Sequence, residues 1–452
     1  MKNIKKKLTS LMLASTIVLT GCSGAKKEES SSSSNGATEL TFWHSMDGVF
    51  GEIVNEQIEN FNKTIGSEKG IKVTGVFQNW PGTDGLTAAM STDDVKNMPD
   101  IIQLYGESVS LVRDYKRTVW SEDFINSETS SVKKEDLIPN TVTSHSIDGK
   151  MIGVPYTASS LMLYYNMDYL KEAGLNKAPK TIAEMADMMK KISEKTKAKK
   201  GLNVAINQYE LENFIATQGE NGTYFGNNES GHKSHMTEFS AEGKKALKRF
   251  LEEWDKVVKT GNYKEVNDSI NEEFAQGLNA MTIMSSSRIQ TIDELVGDSF
   301  EWGVAPIPIV NASDVGGAYP SGSGLYMIDR DDEKKKNASW EFLSYMISPE
   351  AQAMWVEKTG YTPVNIKTQE LEVYKKALES QPRLQESMNN LVNTPDTIVP
   401  AFIPNSSTIG TIIKDTMMAF GSGSISKDEA YKQIVDGIEK SIETYYRANP
   451  ID

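Results

Sequence analysis

From Glu39 onward the chain alternates short β-rich runs with stretches whose apolar residues recur every three or four positions, and this alternation limits its fold more than any other feature. The run Glu39-Leu40-Thr41-Phe42-Trp43 reads as a strand, and residues 48–64, with Phe50, Ile53, Val54, Ile58 and Phe61, read as a helix. Further strands are predicted at 71–77, 100–105, 151–155 and 161–166. Residues 181–194 open on a Thr with Glu184 three places on, a helix start. The section to about residue 259 reads as mostly helical and 278–284 as a buried strand. Late strands are predicted at 302–309 and 324–328, and closing helices at 337–347, 349–359 and 427–446. No repeat of fixed period occurs. Strands alternating with helices predict an α/β fold with a largely parallel sheet.

A length of 452 residues, at roughly 150 per domain, predicts two or three domains. Seven Trp, 17 Tyr and 14 Phe among 38% hydrophobic residues supply a core and exclude wholesale disorder. Asp and Glu outnumber Lys and Arg by 62 to 48, a net charge of −14. Such a surface repels phosphate backbones, so nucleic acid is not an expected partner. One Cys excludes an intramolecular disulfide, and with four His it leaves little for a zinc cage; no metal or cofactor is expected.

The single Cys stands behind a basic start with Lys2, Lys5, Lys6 and Lys7, an apolar stretch over 8–20 and the run Leu19-Thr20-Gly21-Cys22. The stretch is shorter than the ~20 residues of a membrane-spanning helix. The pattern resembles the lipobox of bacterial lipoprotein signal peptides. The resemblance implies a signal peptide over 1–21, lipid attachment at Cys22 and a location at the outer face of the bacterial cell membrane. Residues 22–38, rich in Ser, read as a tether.

Four runs carry a second likeness: Phe42-Trp43-His44-Ser45-Met46, Leu163-Tyr164-Tyr165-Asn166, Ala280-Met281 leading into Ser285-Ser286-Ser287, and Lys358-Thr359-Gly360-Tyr361-Thr362-Pro363. They resemble, in order, segments of the bacterial extracellular solute-binding proteins of ABC importers, above all the carbohydrate group that includes the maltose- and glycerol-3-phosphate-binding proteins. The resemblance implies a two-lobed, type II periplasmic-binding-protein-like flytrap, with lobe 1 over 39–160 and 306–362 and lobe 2 over 161–305 and 363–452. Three crossings between lobes are expected, near 159–163, 304–308 and 361–364. It also implies a monomer that binds a small saccharide and meets the permease subunits of a transporter, with no catalytic residues.

Sugar rings offer apolar faces to aromatics and hydroxyls to polar side chains, so loop aromatics beside polar groups are the pattern to seek. Trp80, in a loop after a strand, and Trp43 are candidate stacking residues, with core packing the alternative for each. Glu107 follows the third strand, where α/β sheets bind ligands; a solvated helix-start carboxylate is the alternative. By alignment with the family, Ser159, Ser285 and Tyr361 are ligand contacts, and Tyr209 is a further candidate. Gly322, in a Gly/Ser run, would let the backbone approach ligand closely, although turn chemistry explains it equally. Phe402 aligns with an Arg of the glycerol-phosphate binders and, with Asn405, is expected on the ligand surface. No Arg or Lys occurs over 399–407, which predicts a neutral ligand.

His232 and His235, with Glu229 and Glu238 nearby, lie in a polar stretch that reads as a surface loop in preference to a metal site. The run at 321–324 lacks the Gly-Lys-Ser/Thr of a phosphate-binding loop. The expected function is a lipid-anchored receptor that captures a saccharide or related polyol or glycoside. A surface carbohydrate-active enzyme or adhesin is the alternative function, and glycerol-3-phosphate or a glycerophosphodiester the alternative ligand.

Overall fold

Two mixed β-sheets, each with its own hydrophobic core, organise the chain. The computed structural model describes residues 36–451 apart from residues 80, 81, 230, 231 and 234 and the side chain of Glu107. The expectations for the signal peptide, for Cys22, for most of the tether and for Trp80 fall outside the described residues.

The strands are β1 (Thr38–His44), β2 (Ile71–Phe77), β3 (Ile101–Tyr105), β4 (Thr118–Val119), β5 (Ser146–Ile147), β6 (Lys150–Met151), β7 (Val154–Ser159), β8 (Leu161–Asn166), β9 (Lys200–Asn203), β10 (Tyr263–Lys264), β11 (Asn279–Ser285), β12 (Trp302–Pro306) and β13 (Ser321–Ile328). The first sheet runs β2-β1-β3-β13-β4, with β7 also on β13; the second runs β10-β9-β11-β8-β12. β1 is parallel to β2 and β3, and β9 is parallel to β10 and β11. The sheets are therefore not as parallel as the strand–helix alternation predicts, for a definite reason: β13 enters the first sheet from the other lobe and β8 enters the second, and each runs antiparallel to its neighbours.

Helices cover both sheets through the periodic faces read in the sequence. Helix Gly48–Lys63 buries Ile53, Val54, Ile58 and Phe61, and Phe61 meets Phe342 at 5.1 Å, edge to face. Helix Ala241–Val258 starts where Ser240 Oγ accepts from Gly243 N at 2.8 Å, a cap worth about 1 kcal/mol. It buries Phe250 and Trp254 against Phe214, whose ring stacks on Phe250 at 4.8 Å. No helix among the described residues is long and apolar enough to cross a membrane.

The chain passes between lobes at three neighbouring places. β7 ends at Ser159 and β8 begins at Leu161, as expected. The return is later than expected. All of β12, Val304 and Pro306 included, pairs with β8, and Ile307, Val310 and Ala318 lie in the second core, so the chain rejoins the first sheet at Ser321. Apolar side chains at 307–318 that fill the lobe 2 core hold this segment there. The third passage is drawn out beyond residue 363. Thr362 N donates to Ala158 O and Ile138 N to Val364 O, so this stretch stays with lobe 1. Helix Arg383–Asn393 then spans both lobes: Arg383 sits 3.8 Å over the Trp302 ring, whereas Met388 and Leu391 enter the lobe 1 core.

Gly322 sits where two crossing strands pair, opposite Ala158. Its φ is +131°, and a Cβ there would stand 2.1 Å from Thr157 O. The bare Cα thus serves strand-to-strand approach. Gly322→Ala is expected to lower unfolding free energy by roughly 2 kcal/mol or more in urea denaturation. An unchanged midpoint would mean that the strand pair has room for the methyl group.

Candidate functional site

Between the two sheets lies a cleft of about 1240 Å³, lined from both lobes and from the crossing strands. Its floor is a chain of hydroxyl groups. Tyr209 OH lies 3.0 Å from Ser321 Oγ, which is 2.8 Å from Ser159 Oγ; Ser285 Oγ donates to Ser159 Oγ at 3.0 Å and lies 3.0 Å from Ser287 Oγ. Every hydroxyl has both a donor and lone pairs, so such a chain can turn to meet either kind of group on a ligand. Beneath it, Ser160 N donates to Ser286 Oγ and Ser286 N to Ser160 O, at 3.1 and 2.8 Å, which ties β11 to the first crossing. Tyr164, stacked on Trp302 at 5.8 Å, donates its hydroxyl to Ser285 O and fixes the end of β11.

The aromatic lining is tyrosine: Tyr105, Tyr209, Tyr319, Tyr361 and Tyr445. Tyr209 and Tyr319 meet edge to face at 5.7 Å. Tyr361 is wedged between Phe50 and Trp355, each 5.4 Å away, and burial raises its phenol above the ordinary range, as it does that of Tyr209. Its place follows from Gly360, where a Cβ would stand 2.0 Å from Ser286 O.

Of the residues expected at the site, Ser159, Tyr209, Ser285, Gly322, Tyr361 and Asn405 all line this cleft. Asn405 caps helix Ser406–Gly421 in a left-handed conformation (φ +54°), and its amide donates to Ser441 Oγ and accepts from Thr408 Oγ1. Two expectations are corrected. Trp43 is absent from the lining and packs against a lobe 1 core cluster, with its ring against Gly85. Phe402 is 2% exposed and points into the same cluster, its ring tilted against His232 at 4.5 Å; in this segment Ala401 and Ile403 face the cleft, so the residue between them faces away. Glu107 lies in the short turn Gly106–Ser108 after β3, and both flanking residues line the cleft.

Other lining groups carried weaker signals. Tyr105 and Arg288 end a strand and the turn after one, the usual ligand side of an α/β sheet. Glu212, Lys414 and Tyr445 come from helix faces where nothing in the sequence distinguishes them. The cation-free segment 399–407 therefore does not make the cleft cation-free, because Arg288 and Lys414 enter it from elsewhere.

The His-containing stretch is not a free surface loop, because it rises from lobe 2 and docks on lobe 1. His232 is 8% exposed; its Nδ1–H donates to Ser146 O at 2.9 Å, and Asp148 N donates to His232 O. His235 Nε2 lies 2.9 Å from Asp114 Oδ2. Burial pushes the Asp114 carboxyl up, but hydrogen bonds from Arg113 and His235 outweigh it and hold it below the usual range. Opening of the cleft must break these contacts or carry the loop with lobe 1.

Two separately cored α/β lobes, joined by three adjacent crossings over a cleft of hydroxyls and tyrosines, define a type II periplasmic-binding-protein fold. The chain belongs to the bacterial extracellular solute-binding protein family, whose profile matches residues 56–382. It is 27% identical over 366 residues to the sn-glycerol-3-phosphate-binding periplasmic protein UgpB of Brucella suis, covering 78% of this chain and 81% of that one. The sugar-binding protein MalE of Xanthomonas citri superposes with a TM-score of 0.73 at 20% identity, over 92% of this chain and 100% of that one. UgpB of Mycobacterium tuberculosis, solved with glycerophosphocholine, gives 0.70 at 18% identity, over 92% and 100%.

His145, which lines the cleft, meets Tyr326 OH through Nδ1 at 2.6 Å; burial, and then the charge of His232, depress its pKa to about 3 and keep the ring neutral. An unfolded His titrates near 6.5. Between these values the unfolded chain takes up a proton that the folded chain refuses, so this contribution to stability is full above about pH 6.5 and is lost as pH falls toward 3, by about 1.4 kcal/mol per pH unit. Glu210, which burial raises to about 7, works in the opposite direction over roughly pH 4.5–7, so the variant must be compared with the parent. His145→Gln is expected to flatten the rise of urea-derived stability from pH 4 to 6.5, and equal slopes would show that the ring is protonated in the fold.

Proposed function

We propose that the chain is the monomeric, lipid-anchored solute receptor of an ABC importer, which holds a saccharide or related polyol or glycoside between its lobes and passes it to the permease. The observation that carries this reading is the lining of the interlobe cleft. Five tyrosines offer flat apolar faces, and the Tyr209–Ser321–Ser159–Ser285–Ser287 hydroxyl chain offers reversible donors and acceptors. A volume of about 1240 Å³ exceeds the roughly 300–1,000 Å³ of drug-sized pockets and favours a solute of more than one ring. Closure of lobes around such a solute excludes water and produces a form that a permease can distinguish from the empty one. The names of the Brucella and Xanthomonas relatives support a polyhydroxylated solute.

A carbohydrate-active enzyme, the second reading, calls for a pair of carboxyl groups flanking the glycosidic bond; the described lining side chains bring one, Glu212, and Glu107 is the other candidate. The lobes are proposed to be 38–159 with 321–370, and 161–318 with 395–448, bridged by helix Arg383–Asn393. Trp80 and Glu107 remain proposed contacts on their position after strands of the first sheet.

Calorimetry and thermal-shift assays over mono- and oligosaccharides, polyols and glycerol phosphates test the ligand class, since a bound solute raises stability by mass action. At least one polyhydroxylated compound is expected to bind and to be recovered intact. Tyr105→Ala and Tyr209→Ala are each expected to cost roughly 1–3 kcal/mol of that affinity. Cleaved oligosaccharide, or no binding anywhere in the panel, would contradict the receptor reading. Anchoring is tested separately: Cys22→Ser is expected to release the mature body from the membrane fraction, because a lipid chain pair there suffices for stable attachment. A Cys22→Ser body that still pelleted with membranes after salt washing would refute it.

A further inference from the structure

The structure assigns to Arg288 the recognition of an anionic substituent, a carboxylate or a phosphate ester, on the solute held in the cleft. This rests on the receptor reading above and narrows its ligand class.

The argument begins with a census of arginines. Arg113 pairs with Asp114, Arg117 with Asp93 and Asp331, Arg330 with Asp100, Arg383 with Asp293 and Arg447 with Glu443, and Arg249 donates to Gln218. Arg288 is the remaining one, and among the described residues it has neither a hydrogen bond nor an ion pair. In a chain with 62 acids to 48 bases, an arginine with neither a carboxylate nor any other described partner needs a reason. Its position supplies one, because it is also the arginine that lines the interlobe cleft.

The setting suits an anion. Arg288 closes the turn Ser286–Arg288 at the end of β11, beside the hydroxyls of Ser285 and Ser287 that belong to the cleft floor. Its charge is felt by the Tyr361 phenol across the cleft lining. The one described carboxylate in the lining, on Glu212, makes no ion pair with it and lies within reach of Ala401 N at 3.4 Å. A guanidinium presents a planar fork that matches a carboxylate or phosphate with two parallel hydrogen bonds. The energetic decision comes on closure. Sealing the lobes over a neutral solute would strip water from an unpaired cation, at a cost of several kcal/mol, whereas an anion on the solute would offset that cost with charge-assisted bonds.

The test uses matched probes in the full mature chain: glucose, glucuronate and glucose 6-phosphate; maltose and digalacturonate; glycerol and glycerol 3-phosphate. Each is titrated calorimetrically into the parent protein, Arg288→Gln and Arg288→Lys at low and moderate salt. Because Arg288 is exposed and holds no partner, both variants are expected to keep the parent's melting temperature. At least one anionic probe is expected to bind tenfold or more tighter than its neutral counterpart, more weakly as salt rises. Arg288→Gln should remove that preference while leaving neutral probes unaffected, and Arg288→Lys should retain part of it. Comparison of the carboxylate and phosphate arms tells which anion is preferred. Neutral probes that bind as tightly as their anionic partners, with Arg288→Gln inert, would overturn the inference and leave the receptor reading standing. Equal weakening of neutral and anionic probes by Arg288→Gln would also overturn it. Failure of every probe to bind would remove the receptor reading and the inference with it.

Discussion

The pairing of Ser159 with Ser321 is the constraint on which this molecule turns. It is the point where the strand leaving the first lobe lies beside the strand returning to it, with the two hydroxyls 2.8 Å apart. Thr362, in the lobe 1 stretch that precedes the third passage, donates its N–H to the neighbouring Ala158 O. Two passages held in one patch of antiparallel pairing, with helix Arg383–Asn393 beside them through Asn390 and Ser160, give the two lobes a narrow common axis. Each body is otherwise stabilised internally, by aromatic clusters around Phe342 in one and Trp254 in the other. Bending at such a junction changes few buried contacts, which is what hinge closure requires. The same patch forms the floor of the cleft, so the groups proposed to meet a solute are those whose geometry a hinge motion would alter first.

Charge is distributed in keeping with that role. Outside the cleft every arginine but Arg249, which donates to Gln218, is paired with a carboxylate. The buried Asp100 receives Arg330 and Lys335 as well as the Thr41 N–H, which locks the start of β3 to the end of β13. His232 and His235 carry lobe 2 onto lobe 1 away from the hinge, through one backbone carbonyl and one carboxylate, contacts weak enough to be made and broken. Against this background Arg288, exposed in the cleft without a partner among the described residues, is the exception among the arginines, which is why it is proposed to meet the solute.

Much of the fold was legible because its elements obey one period at a time. β2 and β8 have the predicted limits, and helix Ile182–Lys195 starts at Thr181, whose Oγ1 accepts from Glu184 N as its spacing implied. β9 carries no strand signal because Lys200-Gly201-Leu202-Asn203 has one large apolar residue; Gly201 is there because a Cβ would stand 2.8 Å from Met189. Helix Glu372–Ser380 gives a weak signal because it buries only Tyr374 and Ala377, and helix Arg383–Asn393 because its buried face is divided, with Leu384 in one cluster and Met388 and Leu391 in another. At the site, residues at strand ends and crossings were readable, since topology alone brings Ser159, Ser285 and Tyr361 together. Phe402 and Trp43 were not, because the facing of one residue in a loop, or just after a strand, depends on packing partners far away in the sequence.

The central claim is that the two lobes close over a solute about the Ser159–Ser321 junction. Small-angle X-ray scattering of the mature body, with and without a saturating solute found by calorimetry, tests it most directly. The account predicts a smaller radius of gyration and a shorter maximum dimension on saturation, with no change in molecular mass. Identical scattering curves at full occupancy would contradict it, because a solute held without movement of the lobes would give the permease nothing to distinguish.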